Sequence, residues 1–130
     1  MASTTVLMCA VIYSGTTSSV ETVKILIDNG ANVNAQTNEG VTALMYATMF
    51  SNTTLTSNIE TVKLLLDHGA DVNSVSQNGQ SALMYACSNT NEYNIDIIKL
   101  LIENGADVNA INKNQWSSEK MCKHIFDGQF

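Results

Sequence analysis

Apolar residues recur along the chain in two alternating arrangements. Val23, Leu26 and Ile27, then Val62, Leu65 and Leu66, then Ile98, Leu101 and Ile102 fall at helical spacing among polar neighbours. Each set predicts an amphipathic helix with one inward stripe, in which a fully buried side chain contributes about 1.5–3 kcal/mol. Gly30, Gly69 and Gly105 end these helices, because a left-handed C′ residue suits a side chain with no Cβ. Ser18-x-x-Glu21 and Ser57-x-x-Glu60 predict capping boxes at two of the starts. The third start has Tyr93 and Asp96 at these positions, which leaves Asn91 or Asn94 as the cap. Shorter apolar phrases come first in each unit: Thr42-Ala43-Leu44-Met45-Tyr46-Ala47, Ser81-Ala82-Leu83-Met84-Tyr85-Ala86 and a fainter Thr5-Val6-Leu7-Met8-Cys9-Ala10. Ser/Thr/Asn/Gly stretches at 14–19, 51–57 and 88–93 read as the loops between the helices.

The two arrangements repeat in step. Thr22 to Asn34 returns at Thr61 to Asn73 and again at Ile97 to Asn109. Ala10, Ala47, Ala86 and Cys122 stand 37, 39 and 36 residues apart, yet Lys24 to Ala47, Lys63 to Ala86 and Lys99 to Cys122 are each 23. The variation therefore lies in the loops, and repetition at this period marks a solenoid in which each unit needs only its neighbours. After each glycine, Ala-Asp/Asn-Val-Asn enters an extended hairpin. Val33, Val72 and Val108 are expected to point inward, with Asn38-Glu39-Gly40 and Gln77-Asn78-Gly79 at the tips. Asn34, Asn73 and Asn109 are expected to brace the hairpins through side-chain-to-backbone bonds.

The ends are less regular. Gln115 stands where the third tip glycine belongs, and Glu119 where a core leucine belongs. Residues 117–126 then read as a solvated cap with Met121, Ile125 and Phe126 on its buried face. The first helix, Val6 to Tyr13, is apolar on every side, although a terminal unit should turn a polar face outward. Two readings stay open: a truncated array, or a surface that packs on something such as a second copy through Val6, Leu7 and Ile12.

Composition narrows the function. The chain has 130 residues, 45% hydrophobic and 14% charged, which suits one folded domain. Net charge is −6, and the six basic residues are scattered lysines, so a phosphate backbone is an unsuitable partner. No apolar run reaches the roughly 18 residues of a membrane span, and no basic segment precedes Val6. Cys9, Cys87 and Cys122 have no C-x-x-C spacing and read as free thiols of a reducing, intracellular setting.

Catalysis would need converging titratable groups. His68 lies at a helix end where its copies are Asn29 and Asn104. Cys122-x-His124 has no third ligand near it in sequence. Asp28, Asp67 and Glu103 recur in register at helix ends, as scaffold residues do. Neither an enzyme, a metal nor a cofactor is expected.

Taken together, the two repeated phrases resemble the ankyrin repeat over nearly the whole chain. The resemblance implies an all-α solenoid of helix-loop-helix-hairpin units, about three full repeats and a degenerate C-terminal cap. It would form one domain over 1–130, with units at about 1–36, 37–75, 76–111 and 112–130. It further implies a non-catalytic module that binds a partner protein through hairpin tips and the concave face of the first helices. Carried over by position, the contact residues are Asn38, Glu39, Val41, Gln77, Asn78, Gln80, Lys113 and Trp116, with Phe50 and Asn89 at the far ends of the first helices. Trp116 reads equally as a binding anchor or as packing of the last unit. Tyr46 and Tyr85 recur in register and read as structural.

There are departures from the family pattern. Thr-Ala-Leu-Met and Ser-Ala-Leu-Met replace Thr-Pro-Leu-His, so Met45 and Met84 must supply apolar packing where the family has a histidine. The asparagine-rich, arginine-free composition is similar to ankyrin arrays of large DNA viruses or AT-rich protists, which would place the protein in the cytoplasm, a host's included. Asn73 and Asn109 resemble sites of asparaginyl hydroxylases in other ankyrin proteins, with a structural role as the alternative.

Overall fold

Each short helix begins at a hydroxyl. Thr5 Oγ1, Thr42 Oγ1 and Ser81 Oγ accept the amides of Met8 (3.1 Å), Met45 (3.3 Å) and Met84 (3.3 Å), so one orphan donor of every first turn is satisfied. The computed structural model describes residues 4–12, 19–49, 57–88, 94–118 and 120. Its helices are α1 (Val6–Ile12), α2 (Ser19–Asp28), α3 (Ala43–Met49), α4 (Ser57–Asp67), α5 (Ala82–Ser88) and α6 (Asn94–Glu103). The expectations for Tyr13, Ser18, Phe50, Asn89, Asn91, Tyr93, Glu119, Met121, Cys122, His124, Ile125 and Phe126 lie outside the described residues, as do those for the side chains of Ser57 and Asn94.

The helices form two layers. α1, α3 and α5 lie side by side, α2, α4 and α6 form the second row, and each odd helix packs on the even one that follows it. The core lies between the rows: Leu7, Met8, Val11, Val23, Leu44, Met45, Val62, Leu65, Leu83, Met84, Ile98 and Leu101 are all buried. Burial of Met45 and Met84 meets the expectation that methionine fills the histidine position by apolar packing, and Met8 is buried at the same position of the first unit. The second helices stop alike. Ala31, Ala70 and Ala106 N–H groups reach back to Leu26, Leu65 and Leu101 carbonyls at 3.0 Å, with the preceding glycines at φ 92°, 88° and 90°. The connections between units carry only isolated bridges, Val75 with Ser81 and Ile111 with Ser117, so the described residues form an all-α solenoid.

Four expectations are corrected. Ile102 and Val108, assigned to the inward face, are 46% and 37% exposed, because that face of α6 has no second helix on it among the described residues. Leu7 is buried in the core, which leaves Val6, at 71% exposure, as the outward apolar residue of α1, with Ile12 half-buried. Cys87 is buried and disulfide-bonded, whereas Cys9 is free and exposed. Asn34 and Asn73 do not brace their own hairpins. Each spans to the next unit: Asn34 Nδ2 donates to the Gly69 carbonyl (3.0 Å) and its Oδ1 accepts from Asp71 N–H (2.7 Å), and Asn73 repeats this with Gly105 (3.0 Å) and Asp107 (2.8 Å).

Ser118 supplies a test of the layer scheme. It is buried at the place held by Ala43 and Ala82, and its Oγ has no hydrogen-bond partner among the described residues. An orphaned buried hydroxyl costs about 1–3 kcal/mol, so Ser118→Ala is expected to stabilise the protein by about 1 kcal/mol, read as a higher urea midpoint with unchanged slope. A lower midpoint would show that the hydroxyl has a partner.

Candidate hairpin-tip binding surface

Three buried polar residues build the tips. Thr37, Ser76 and Asn112 occupy one position in successive units. Thr37 N–H donates to the Val41 carbonyl (2.9 Å), and its carbonyl accepts from Gly40 N–H (2.9 Å). Thr37 Oγ1 then takes the amides of Glu39 (3.3 Å) and Val41 (3.1 Å). Ser76 makes the same turn with Gln80 and Gly79, and Asn112 with Trp116 and Gln115; Asn112 Oδ1 accepts from Asn114 N–H (2.8 Å) and Trp116 N–H (3.1 Å). Each side chain thus satisfies amides that an isolated turn would leave to water.

The tips are locked to one another. Gln77 N–H donates to the Glu39 carbonyl (2.8 Å), Gln77 Nε2 to the Asn38 carbonyl (2.7 Å), and Lys113 N–H to the Asn78 carbonyl (3.0 Å). This close approach needs glycine twice over. Gly40 and Gly79 lie at φ 77° and 75°, and a Cβ on Gly79 would sit 3.1 Å from Asn112 Cα. Gln115, at φ 65°, holds the same turn in the last tip, against which no further tip packs among the described residues.

Asn38, Glu39, Gln77, Asn78 and Lys113 are exposed along this ladder, and Val41 and Gln80 are half-buried behind it. Gln80 Oε1 is buried without a partner among the described residues. Trp116 is 37% exposed, with Lys120 Nζ 4.5 Å from its ring centroid. Phe50 and Asn89, expected at the far ends of the first helices, lie outside the described residues. Two apolar residues escaped the sequence reading. Val75 and Ile111, at one position in successive units, are 45% and 55% exposed beside the tips. In the first unit this place belongs to Gln36, whose Nε2 donates to Ser74 Oγ (3.1 Å). The signal was available in principle: inward Val72 lies three residues before Val75, and the alternation of an extended arm turns Val75, and with it Ile111 at the same position of the next unit, out.

His68 Nδ1 lies 2.9 Å from the Leu64 carbonyl, as the Asn29 and Asn104 amides lie 2.8 Å from Ile25 and Leu100 carbonyls, so Nδ1 carries the proton and the ring ends a helix. Among the described residues there is no group of three potential metal ligands, and no helix is long and apolar enough to cross a membrane. An open groove of about 340 Å³ lies between α4 and α6, lined by Ile59, Lys63, Asp96, Lys99, Leu100 and Glu103, away from the tips.

The family model of ankyrin repeats matches residues 7–112 as three copies. The chain belongs to the ankyrin-repeat family. Ankyrin repeats are in general protein-protein interaction modules and as a rule not catalysts. A comparison with curated proteins found no match.

Proposed function

We propose that this ankyrin protein is a non-catalytic module that binds a partner protein through its hairpin tips and the adjoining concave face. The observation that carries this reading is an apolar line on a hydrogen-bonded ladder: Val75 and Ile111, with Trp116 at its end, lie exposed beside tips fixed to each other through their backbones. A rigid surface loses little entropy on binding, and exposed aliphatic and Trp side chains ringed by Asn, Gln, Glu39 and Lys113 suit an apolar centre with a polar rim. Asn38, Glu39, Val41, Gln77, Asn78, Gln80, Lys113 and Trp116 are the contact residues in this reading, and Val75 and Ile111 join them. Residues 112–130 act as the C-terminal cap of a single domain.

A second reading, self-association through α1, is favoured by the exposure of Val6 and of the free thiol of Cys9 on that helix. One experiment separates the two. Immobilised wild type, Val75→Asp/Ile111→Asp and Val6→Glu are used to recover proteins from the cells that make the protein. A partner held by wild type and Val6→Glu, and weakened at least about tenfold by the double variant, fits the tip reading. Equal recovery by all three, or loss with Val6→Glu alone, contradicts it.

A further inference from the structure

The three tips differ in charge along their ladder. Glu39 is exposed on the first, Gln77 and Asn78 on the second, and Lys113 on the third, where Lys120 also lies over the Trp116 ring. Neither the Glu39 carboxylate nor the Lys113 ammonium has an ion-pair partner among the described residues. The other charged residues of the hairpins, Asp71 and Asp107, stand ahead of the tips, where each accepts the Asn73 or Asn109 amide (2.9 Å). Gln36, Val75 and Ile111 share one exposed position beside the ladder, polar in the first unit and aliphatic in the next two. Val75 belongs to the middle tip and has a described tip on each side of it. The spacing of this line follows from the stacking. α1, α3 and α5 lie side by side, as packed helices do at about 8–10 Å. Each tip also adds two hydrogen-bonded arms to the ladder, at about 4.7–4.9 Å per arm. Both measures put Val75 and Ile111 about 10 Å apart, and Glu39 and Lys113 about 20 Å apart.

We propose that the partner segment bound at the tips is an amphipathic helix with an acidic first turn, two aliphatic residues seven apart and a basic last turn. It lies along the ladder with its N-terminus over the third tip; the inference rests on the tip-binding reading and deepens it. Spacing selects the helix. Residues i and i+7 of a helix share a face and lie about 10.5 Å apart, whereas same-face residues of a strand recur at about 6.6 or 13 Å. The two aliphatic side chains then meet Val75 and Ile111, with Trp116 closing the apolar centre at one end. A span of about 20 Å takes about 14 helical residues, so the end turns fall over Lys113 and Glu39. Charge sets the direction. Acidic side chains face Lys113 and Lys120, and basic ones face Glu39 and Gln36. Gln36 Nε2 already donates to Ser74 Oγ (3.1 Å) and the Gly40 carbonyl (3.3 Å), which leaves its oxygen to accept from a lysine. Acid first and base last is also the order that the helix macrodipole stabilises, so such a segment favours the helix before it binds. A polyproline segment repeats at about 9.3 Å but gains nothing from that order.

The probes are three synthetic peptides titrated into the ¹⁵N-labelled protein. The first is a helix of about 18 residues, stapled on its outer face, with two Glu in the first turn, two Leu seven residues apart and two Lys in the last turn. The second exchanges the Glu and the Lys. The third carries the charges of the first on a polyproline segment with its Leu three residues apart. The first should give saturable shifts at the Val75 and Ile111 amides and the Trp116 indole N–H. The other two should bind at least about fivefold more weakly, as expected when exposed ion pairs are reversed or misplaced, and added salt should narrow the gap between the two helices. Glu39→Lys/Lys113→Glu, at two exposed positions, should prefer the second peptide to the first. Equal binding of the two helices, an unchanged preference in that variant, tighter binding of the polyproline peptide, shifts away from the tips or no saturable shifts would each overturn the proposal. The tip reading has its own test: a cellular partner lost with Val75→Asp/Ile111→Asp would uphold the tips even where the helix fails.

Discussion

Leu65→Ala is expected to lower stability by about 2–5 kcal/mol, a large share of the roughly 5–15 kcal/mol typical of a single domain. Leu65 is fully buried in α4, the helix that meets α2, α3 and α6. In a solenoid the net stability is a sum of unit and neighbour terms, so a cavity in the central unit weakens its own fold and both junctions. Urea unfolding should show a midpoint far below wild type. The slope should fall if the outer units come apart separately, and hold if the array unfolds as one. A loss under about 1 kcal/mol would mean that the α4 stripe is not the core.

Gly79→Ala should cost a similar amount for a different reason. The left-handed φ costs an L-residue about 1–2 kcal/mol, and a Cβ lying 3.1 Å from Asn112 Cα and 3.3 Å from Lys113 N adds an overpacking cost of about 1–3 kcal/mol. Backbone atoms cannot rotate away, so the third tip must shift and the Lys113-to-Asn78 bond must lengthen. Gly105→Ala is the internal control. Gly105 has φ 90° and nothing within 4 Å of a Cβ, so only the conformational cost applies there. Thermal unfolding of both variants decides the matter: equal losses would show that the tips do not press on one another.

The repeat, the helix stops and most of the core were legible in the sequence because they rest on residues that recur in register: Gly30, Gly69 and Gly105, Met45 and Met84, Leu65 and Leu101. The tip organisers were not, because Thr37, Ser76 and Asn112 are three residue types sharing one role, that of an oxygen placed to accept turn amides. Asn73 was singled out for side-chain-to-backbone bonding, but its partners were not. Its mates, Gly105 and Asp107, are more than thirty residues away, and only stacking brings them near. Ile102 and Val108 were misplaced because register alone assigns a residue to a face, whereas burial needs a neighbour on that face. Leu7 failed in the opposite sense: an all-apolar helix hides which side the core takes, and contact with α2 and α3 decides it. At the candidate site, position marked the tips, but exposure was needed to find Val75 and Ile111.

The most direct test of the binding surface is site-specific photocrosslinking in the producing cells. A benzoylphenylalanine is placed at Ile111 in one variant and at Lys63, on the second-helix row, in another. An adduct of one defined mass from position 111, absent from position 63 and lost when Val75→Asp is added, is the result predicted here. An adduct from position 63 with none from position 111 would contradict the tip surface as the site of partner binding.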